Sequence, residues 1–140
     1  MIRLFKTLIR YIFFMLGFPF GMVSQRAAEN ARTQIRSAIT LMDQEQISEA
    51  LALLDKAAQL DPTNVTVPYE KAYAHSLRQE YDRVLALLEP ILDHADAQEV
   101  FFDLFGKACE ATGQPEKARQ TYERGLQRFP NAERLRAKCF

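Results

Sequence analysis

Side chains able to act as bases, nucleophiles or metal ligands are few and scattered in this 140-residue chain. Catalysis needs a base or nucleophile held by a partner, or a metal. His75 and His94 are the only histidines, and a satisfied or solvent-facing imidazole accounts for each. Cys109 and Cys139 are too few for a disulfide framework and too far apart for a paired metal motif. Asp93 and Asp96 flank a loop, where carboxylates serve turns and caps. Asp43 to Glu49, DQEQISE, lacks the glycine and the spacing of a calcium loop. The five glycines are dispersed, and no glycine-rich run opens a helix to cradle phosphate. No catalytic residue, cofactor site or metal site is expected, so the chain reads as a binding protein rather than an enzyme.

The elements that would position a binding surface are clearest from Glu99 to Pro130. Phe102, Phe105, Gly106 and Cys109 recur at the spacing of one helical face, as do Ala118, Tyr122, Gly125 and Leu126. Thr112-Gly113-Gln114-Pro115 breaks the two, because glycine accepts the left-handed backbone that ends a helix and proline suits the first turn of the next. Small residues at Gly106 and Ala118 let the helices approach closely, and aromatic rings fill the space around them. Phe102, Phe105, Gly106, Gly113, Ala118, Tyr122 and Pro130 together resemble the tetratricopeptide repeat, whose period is 34 residues. At that period Ala118, Val84 and Ala50 align, as do Tyr122, Leu88 and Leu54, and Gly106, Ala72 and Ala38. Pro130 and Pro62 stand two periods apart, with Asp96 between them.

The resemblance implies an all-α fold, a right-handed superhelical stack of three helix-turn-helix hairpins over residues 28–140. The repeats fall at about 31–64, 65–98 and 99–132, followed by a truncated terminal helix at 131–140. Helices are expected over Ala28–Asp43 and Ser48–Leu60, from Pro68 to the Glu80-Tyr81 turn, and over Tyr81–His94. Gln34 and Ser37 stand where the family carries large apolar residues, as suits a first unit with no preceding neighbour. Lys71 and His75 likewise occupy usually apolar positions. Pro90 either bends the fourth helix near its end or stops it early. Asn131 is the expected N-cap of the last helix. With only NAERLRAKCF to cover the third hairpin, that edge is expected to be exposed and available for self-association. Cys109 takes a core position, as an inert thiol; a bridge to Cys139 would need an oxidising compartment.

Composition fits a folded domain: 48% of residues are hydrophobic and 26% charged, with zero formal net charge. Arg3, Lys6 and Arg10 open the chain well before the first acid, Glu29, and without these three the remainder is slightly acidic. That argues against nucleic acid as a partner, because such a surface needs clustered Lys and Arg. Arg119, Arg124 and Arg128 alternate with Glu116 and Glu123, the pattern of a solvated helix face. Behind the N-terminal cations, Tyr11 to Val23 carries no charge. This run is nearer the apolar region of an export signal than a membrane span, which needs about 20 apolar residues. Ser24 before Gln25 is the best cleavage position, although Met22 suits it poorly. Residues 1–24 are therefore expected to be a cleaved signal peptide or, uncleaved, a membrane anchor, as in a short exported or membrane-anchored bacterial-type member of the family. The repeats would then lie in the periplasm or another extracytoplasmic space.

In the family's arrangement the first helix of each hairpin lines a concave groove. The matching positions are Arg32, Thr66 and Val100; Ile35, Tyr69 and Asp103; and Ile39, Tyr73 and Lys107. Apolar at its middle and charged towards the third unit, this strip suits a peptide or helix of a partner protein. Tyr69 and Tyr73 could equally be core residues of a differently registered helix. Repeats that clamp a carboxylate tail carry Lys and Asn here, where this chain has Ile35 and Ile39, so a chaperone-tail receptor is disfavoured. The expected function is a non-catalytic adaptor or scaffold. Its alternatives are a structural subunit of a membrane-associated complex, held by the N-terminal segment and the last hairpin, and a regulatory arm of a larger enzyme system.

Overall fold

A computed structural model describes the backbone of residues 20–139 and the side chains of 25–139. The expected signal or anchor over residues 1–24 lies outside the residues whose side chains are described. Seven α-helices and no strand are found among the described residues: α1 Phe20–Asp43, α2 Ile47–Leu60, α3 Thr66–Leu77, α4 Tyr81–Leu88, α5 Glu99–Ala111, α6 Pro115–Arg128 and α7 Glu133–Lys138. Each consecutive pair forms a hairpin, α1 with α2, α3 with α4 and α5 with α6. First helices touch first helices, α1 to α3 and α3 to α5, whereas α2 and α4 pack on the first helix of the next unit. Neighbouring first helices thus form the inner side of the stack, and the second helices lie outside it.

The turn inside each hairpin repeats in the backbone. Glu45, Gln79 and Gly113 all have positive φ, at 62°, 59° and 74°, and they stand 34 residues apart. One residue further on, the N–H groups of Gln46, Glu80 and Gln114 donate to the carbonyls of Leu41, His75 and Cys109 at 2.8, 3.0 and 2.8 Å. Each bond satisfies a carbonyl left over at the end of a first helix. Only the third unit uses glycine there; the other two accept a left-handed side-chain-bearing residue, a cost of about 1–2 kcal/mol each.

Inside each hairpin a small residue faces a large one. Ala38, Ala72 and Gly106 are buried on the first helices, and Leu54, Leu88 and Tyr122 are fully buried on the second. Glycine is required at 106, because an added Cβ would lie 2.2 Å from Tyr122 Cε1. The buried residues form two clusters. One holds Ala31, Ile35, Ala38, Met42, Ala50, Leu54 and Ala57 with Val67 and Ala74 of α3. The other runs from Val65 and Ala72 through Phe101, Phe102, Phe105 and Tyr122 to Leu135.

Several boundaries differ from expectation for local reasons. α1 begins at Phe20 rather than Ala28, since the stretch holds only a lone Gly21, which costs about 1 kcal/mol in a helix and does not stop it. α3 begins two residues before Pro68, where Asn64 Oδ1 accepts the Thr66 N–H at 3.0 Å. Of the two outcomes at Pro90 the structure takes the early stop: α4 ends at Leu88 and Glu89–Ile91 forms one 3-10 turn. Ala132, not Asn131, precedes the last helix, and no side chain caps it. Ala132 and Leu135 are both buried, so the short last helix covers the edge expected to be exposed. Both cysteines are free thiols; Cys109 is buried, and burial raises its thiol above the usual range.

α6 carries the solvated charged face that its sequence implies, and two of its arginines also reach the preceding unit. Arg119 does pair locally, with Glu123 at 2.8 Å and Glu116 at 2.5 Å. Arg124 instead reaches Asp93, and Arg128 donates to the carbonyls of Leu92 and Ala95 at 3.3 and 2.6 Å. Those carbonyls belong to the loop that Pro90 frees from helix, so a basic side chain from the third unit replaces the lost backbone partners.

Candidate functional site

The nine groove positions lie on the three first helices but separate into distinct surroundings. Arg32, Ile35 and Thr66 line a recess of about 480 Å³ with Arg36, Asp61 and Gln98, next to the loops that join the units. Ile35 is mostly core, at 6% exposure, and offers only an edge. Arg32 lies 3.6 Å from Glu29 in an exposed pair. Ile39, Tyr69 and Tyr73 line a second recess of about 210 Å³. Val100, Asp103 and Lys107 of α5 enter neither; Asp103 is 7% exposed and accepts from Lys107 Nζ at 2.8 Å. The strip is therefore open at its middle and closed by an ion pair at its third unit.

The two tyrosines divide between the two readings that their sequence allowed. Tyr69 is half-buried and stacks on Phe101 of α5, with centroids 4.7 Å apart and planes 9° apart, which ties the second unit to the third. Burial pushes its phenol from the ordinary 10.0 up to about 12, helped by the charges of Glu70 and Asp103. Tyr73, one turn on, is 41% exposed. It also borders a further recess of about 450 Å³ with Met42, Asp43, Glu45, Ile47 and Leu77. Leu77, at 47% exposure, and the acids Asp43, Glu45 and Glu70 were absent from the sequence-derived strip. A simple signal marks two of them: Leu77 is one turn beyond Tyr73, and Asp43 one turn beyond Ile39, so the same helical period carried to the helix ends reaches both.

Most other chemistry-bearing groups have structural partners, although the buried His75 Nδ1 makes no hydrogen bond among the described residues. His94 Nδ1 accepts the Asp96 N–H at 3.1 Å, within the loop where a turn role was expected. His75 is buried in α3 with Nδ1 3.6 Å from Glu80 Oε2, while its carbonyl closes the turn described above. Lys71, at the position of Phe105 one unit later, keeps its stem half-buried and pairs with Asp55 of α2. Among the described residues no three of His, Cys, Asp and Glu gather as a metal would need, and no helix is long and apolar enough to cross a membrane.

Stacked antiparallel helix pairs with an exposed apolar strip on their inner side define a helical-repeat protein of the solenoid class. Two family models, each described as Tetratricopeptide repeat, match residues 41–104 and 100–139. Together they run through most of the chain, which belongs to the tetratricopeptide repeat family. Solved structures agree on the fold. The first tetratricopeptide domain of Spaghetti (RPAP3), bound to the HSP90 peptide SRMEEVD, is 20% identical with a TM-score of 0.73, over 80% of this chain and 89% of that one. The N-terminal domain of stress-induced protein-1 from C. elegans is 19% identical with a TM-score of 0.69, over 80% and 94%. YrrB, described as having an unusual peptide-binding site, is 22% identical with a TM-score of 0.69, over 86% and 62%. A search of curated proteins finds no match.

Proposed function

We propose that this protein is a non-catalytic adaptor that holds a peptide or helix of a partner protein on the inner face of its stack. One observation carries the reading. Of the four exposed large hydrophobic residues among those described, Ile39, Tyr73 and Leu77 border the two adjoining recesses of that face, and only Leu60 lies elsewhere. Apolar side chains left in water along one strip mark a surface that another molecule covers. The mechanism is rigid presentation: packing between hairpins fixes the strip before a ligand arrives, so less ordering entropy opposes binding. Related domains that hold chaperone peptides support peptide binding as a use of this fold. The ligand chemistry here differs, since Ile35 and Ile39 stand where a carboxylate clamp carries its Lys and Asn. Assembly through the last hairpin draws less support, because Ala132 and Leu135 already occupy that edge.

Replacing Tyr73 and Leu77 together by alanine is expected to reduce partner capture at least about tenfold while the helical circular-dichroism signal persists. Unchanged capture by a folded variant would remove the groove from the account. Tyr69 is left intact in this test because its ring packs on Phe101. The reading also puts the repeats outside the cytoplasm, with residues 1–24 as signal or anchor. Its support is the order of three cations followed by an uncharged run. Fractionation of cells expressing the chain with and without residues 1–24 tests this: the full chain should appear in the membrane or exported fraction, and a cytoplasmic full chain would overturn it.

A further inference from the structure

Acids border the apolar strip, and among the described residues no Lys or Arg lines its two recesses. Asp43 and Glu70 line the smaller recess with Ile39 and Tyr73, and Asp43 and Glu45 line the adjoining one with Tyr73 and Leu77. Among the described residues none of the three carboxylates has a basic side chain within ion-pair distance, although ion pairs are plentiful elsewhere on the stack. Two cations of the first helices are engaged elsewhere: Lys71 pairs with Asp55, and Lys107 with Asp103. Arg36 borders the other recess, by the loops. Burial holds the Glu70 carboxyl above its ordinary range, as it does for a half-buried acid with no counter-charge beside it.

Resting on the proposed groove, we infer that its occupant is a basic amphipathic helix: apolar residues at helical spacing over Ile39, Tyr73 and Leu77, with Lys or Arg beside them meeting Asp43, Glu45 and Glu70. Tyr69 to Leu77 covers two turns of α3, about 12 Å at 1.5 Å per residue, so the contact takes about two turns of the partner. Charge complementarity selects that partner. An acidic peptide such as the SRMEEVD segment held by the Spaghetti domain would bring like charge to three unpaired carboxylates. A basic one neutralises them and loses little water from an already half-buried Glu70.

The test uses the full chain and two synthetic 14-residue helices that share one leucine stripe, flanked by lysines in one and by glutamates in the other. Fluorescence anisotropy should show the lysine helix binding about tenfold tighter than the glutamate helix, a gap that narrows in high salt. The pair Asp43→Asn and Glu70→Gln should abolish the gap while binding of the leucine stripe remains. Equal binding of the two helices, both lost in the Tyr73→Ala and Leu77→Ala variant, would keep the groove and overturn its charge preference. Binding of neither helix would overturn both. A dimeric mass in solution that Tyr73→Glu converts to a monomer would make a second copy of the chain the occupant, and would likewise overturn the basic-helix assignment.

Discussion

The first and third hairpins solve one packing problem with different materials. In the first, Ala38 faces Leu54 among Ala31, Ala50 and Ala57, a set of small aliphatic groups. In the third, Gly106 faces Tyr122 among Phe101, Phe102 and Phe105. Backbone, turn and spacing are the same, so what is held constant is the combined size of the facing pair: as leucine grows to tyrosine, alanine shrinks to glycine. The third hairpin buries the larger side chains, Phe101, Phe102, Phe105 and Tyr122, and receives Leu135 on its free side. The first leaves Ser37 exposed and has no described hairpin before it. Stability in a repeat stack is a sum of unit and interface terms, so the two ends should differ in strength.

The largest expected effect breaks the size rule directly. Gly106→Ala drives a methyl group into the Tyr122 ring and should destabilise the fold by about 3 kcal/mol in urea titration. Adding Tyr122→Leu, which rebuilds the pair of the second unit, should recover at least half of that loss. Failure of the rescue would show that ring and glycine are not the coupled pair. Next in size, native-state hydrogen exchange should find the amides of α1 and α2 opening at about 1–2 kcal/mol less than those of α5 and α6. Uniform protection would make the stack one cooperative unit. Smaller still, Glu45→Gly and Gln79→Gly should each stabilise by about 0.5–1 kcal/mol by relieving the left-handed residue, whereas Gly113→Ala should cost about 1 kcal/mol. A loss of stability from either glycine would mean that the side chain, not the turn, matters there.

The smallest effect appears only in alkali. Tyr69 holds its proton to about 12, above the ordinary 10.0, so the folded state binds that proton more tightly than the unfolded chain does. Its contribution is complete below pH 10 and is lost as pH rises from there to about 12. Ultraviolet titration of the phenolate band, with Tyr69→Phe to assign it, should find Tyr69 ionising well above 10.0. Ionisation near 10.0 would contradict the stacked, half-buried ring.

How much could be read without coordinates follows from the range of each interaction. The hairpins, their turns and the facing pairs were legible because they repeat at one spacing, and three copies reinforce one another. The register of α3 was obscured by Lys71 and His75: the Lys71 ammonium finds Asp55 on another helix, a partner that no local pattern announces, and the buried His75 ring leaves Nδ1 without a hydrogen bond. Arg124 and Arg128 are exposed as expected, but their bonds to Asp93 and the Leu92 carbonyl were hidden for the same reason, since those partners lie more than 30 residues away. The candidate strip was half legible. Helical spacing found Ile39 and Tyr73, and the i, i+4 pair of Asp103 with Lys107 lies within one helix, but that Tyr69 is spent on Phe101 depends on how α3 lies against α5.

The corners at Glu45, Gln79 and Gly113 share one main-chain bond, to which the Thr112 and Gln114 side chains add only in the third. A joint whose common part is main chain can be copied without redesign, and because the copies recur at one fixed length, whole hairpins can be spliced in or cut out in blocks of 34 residues. Such a chain can change its reach without inventing a new piece of architecture.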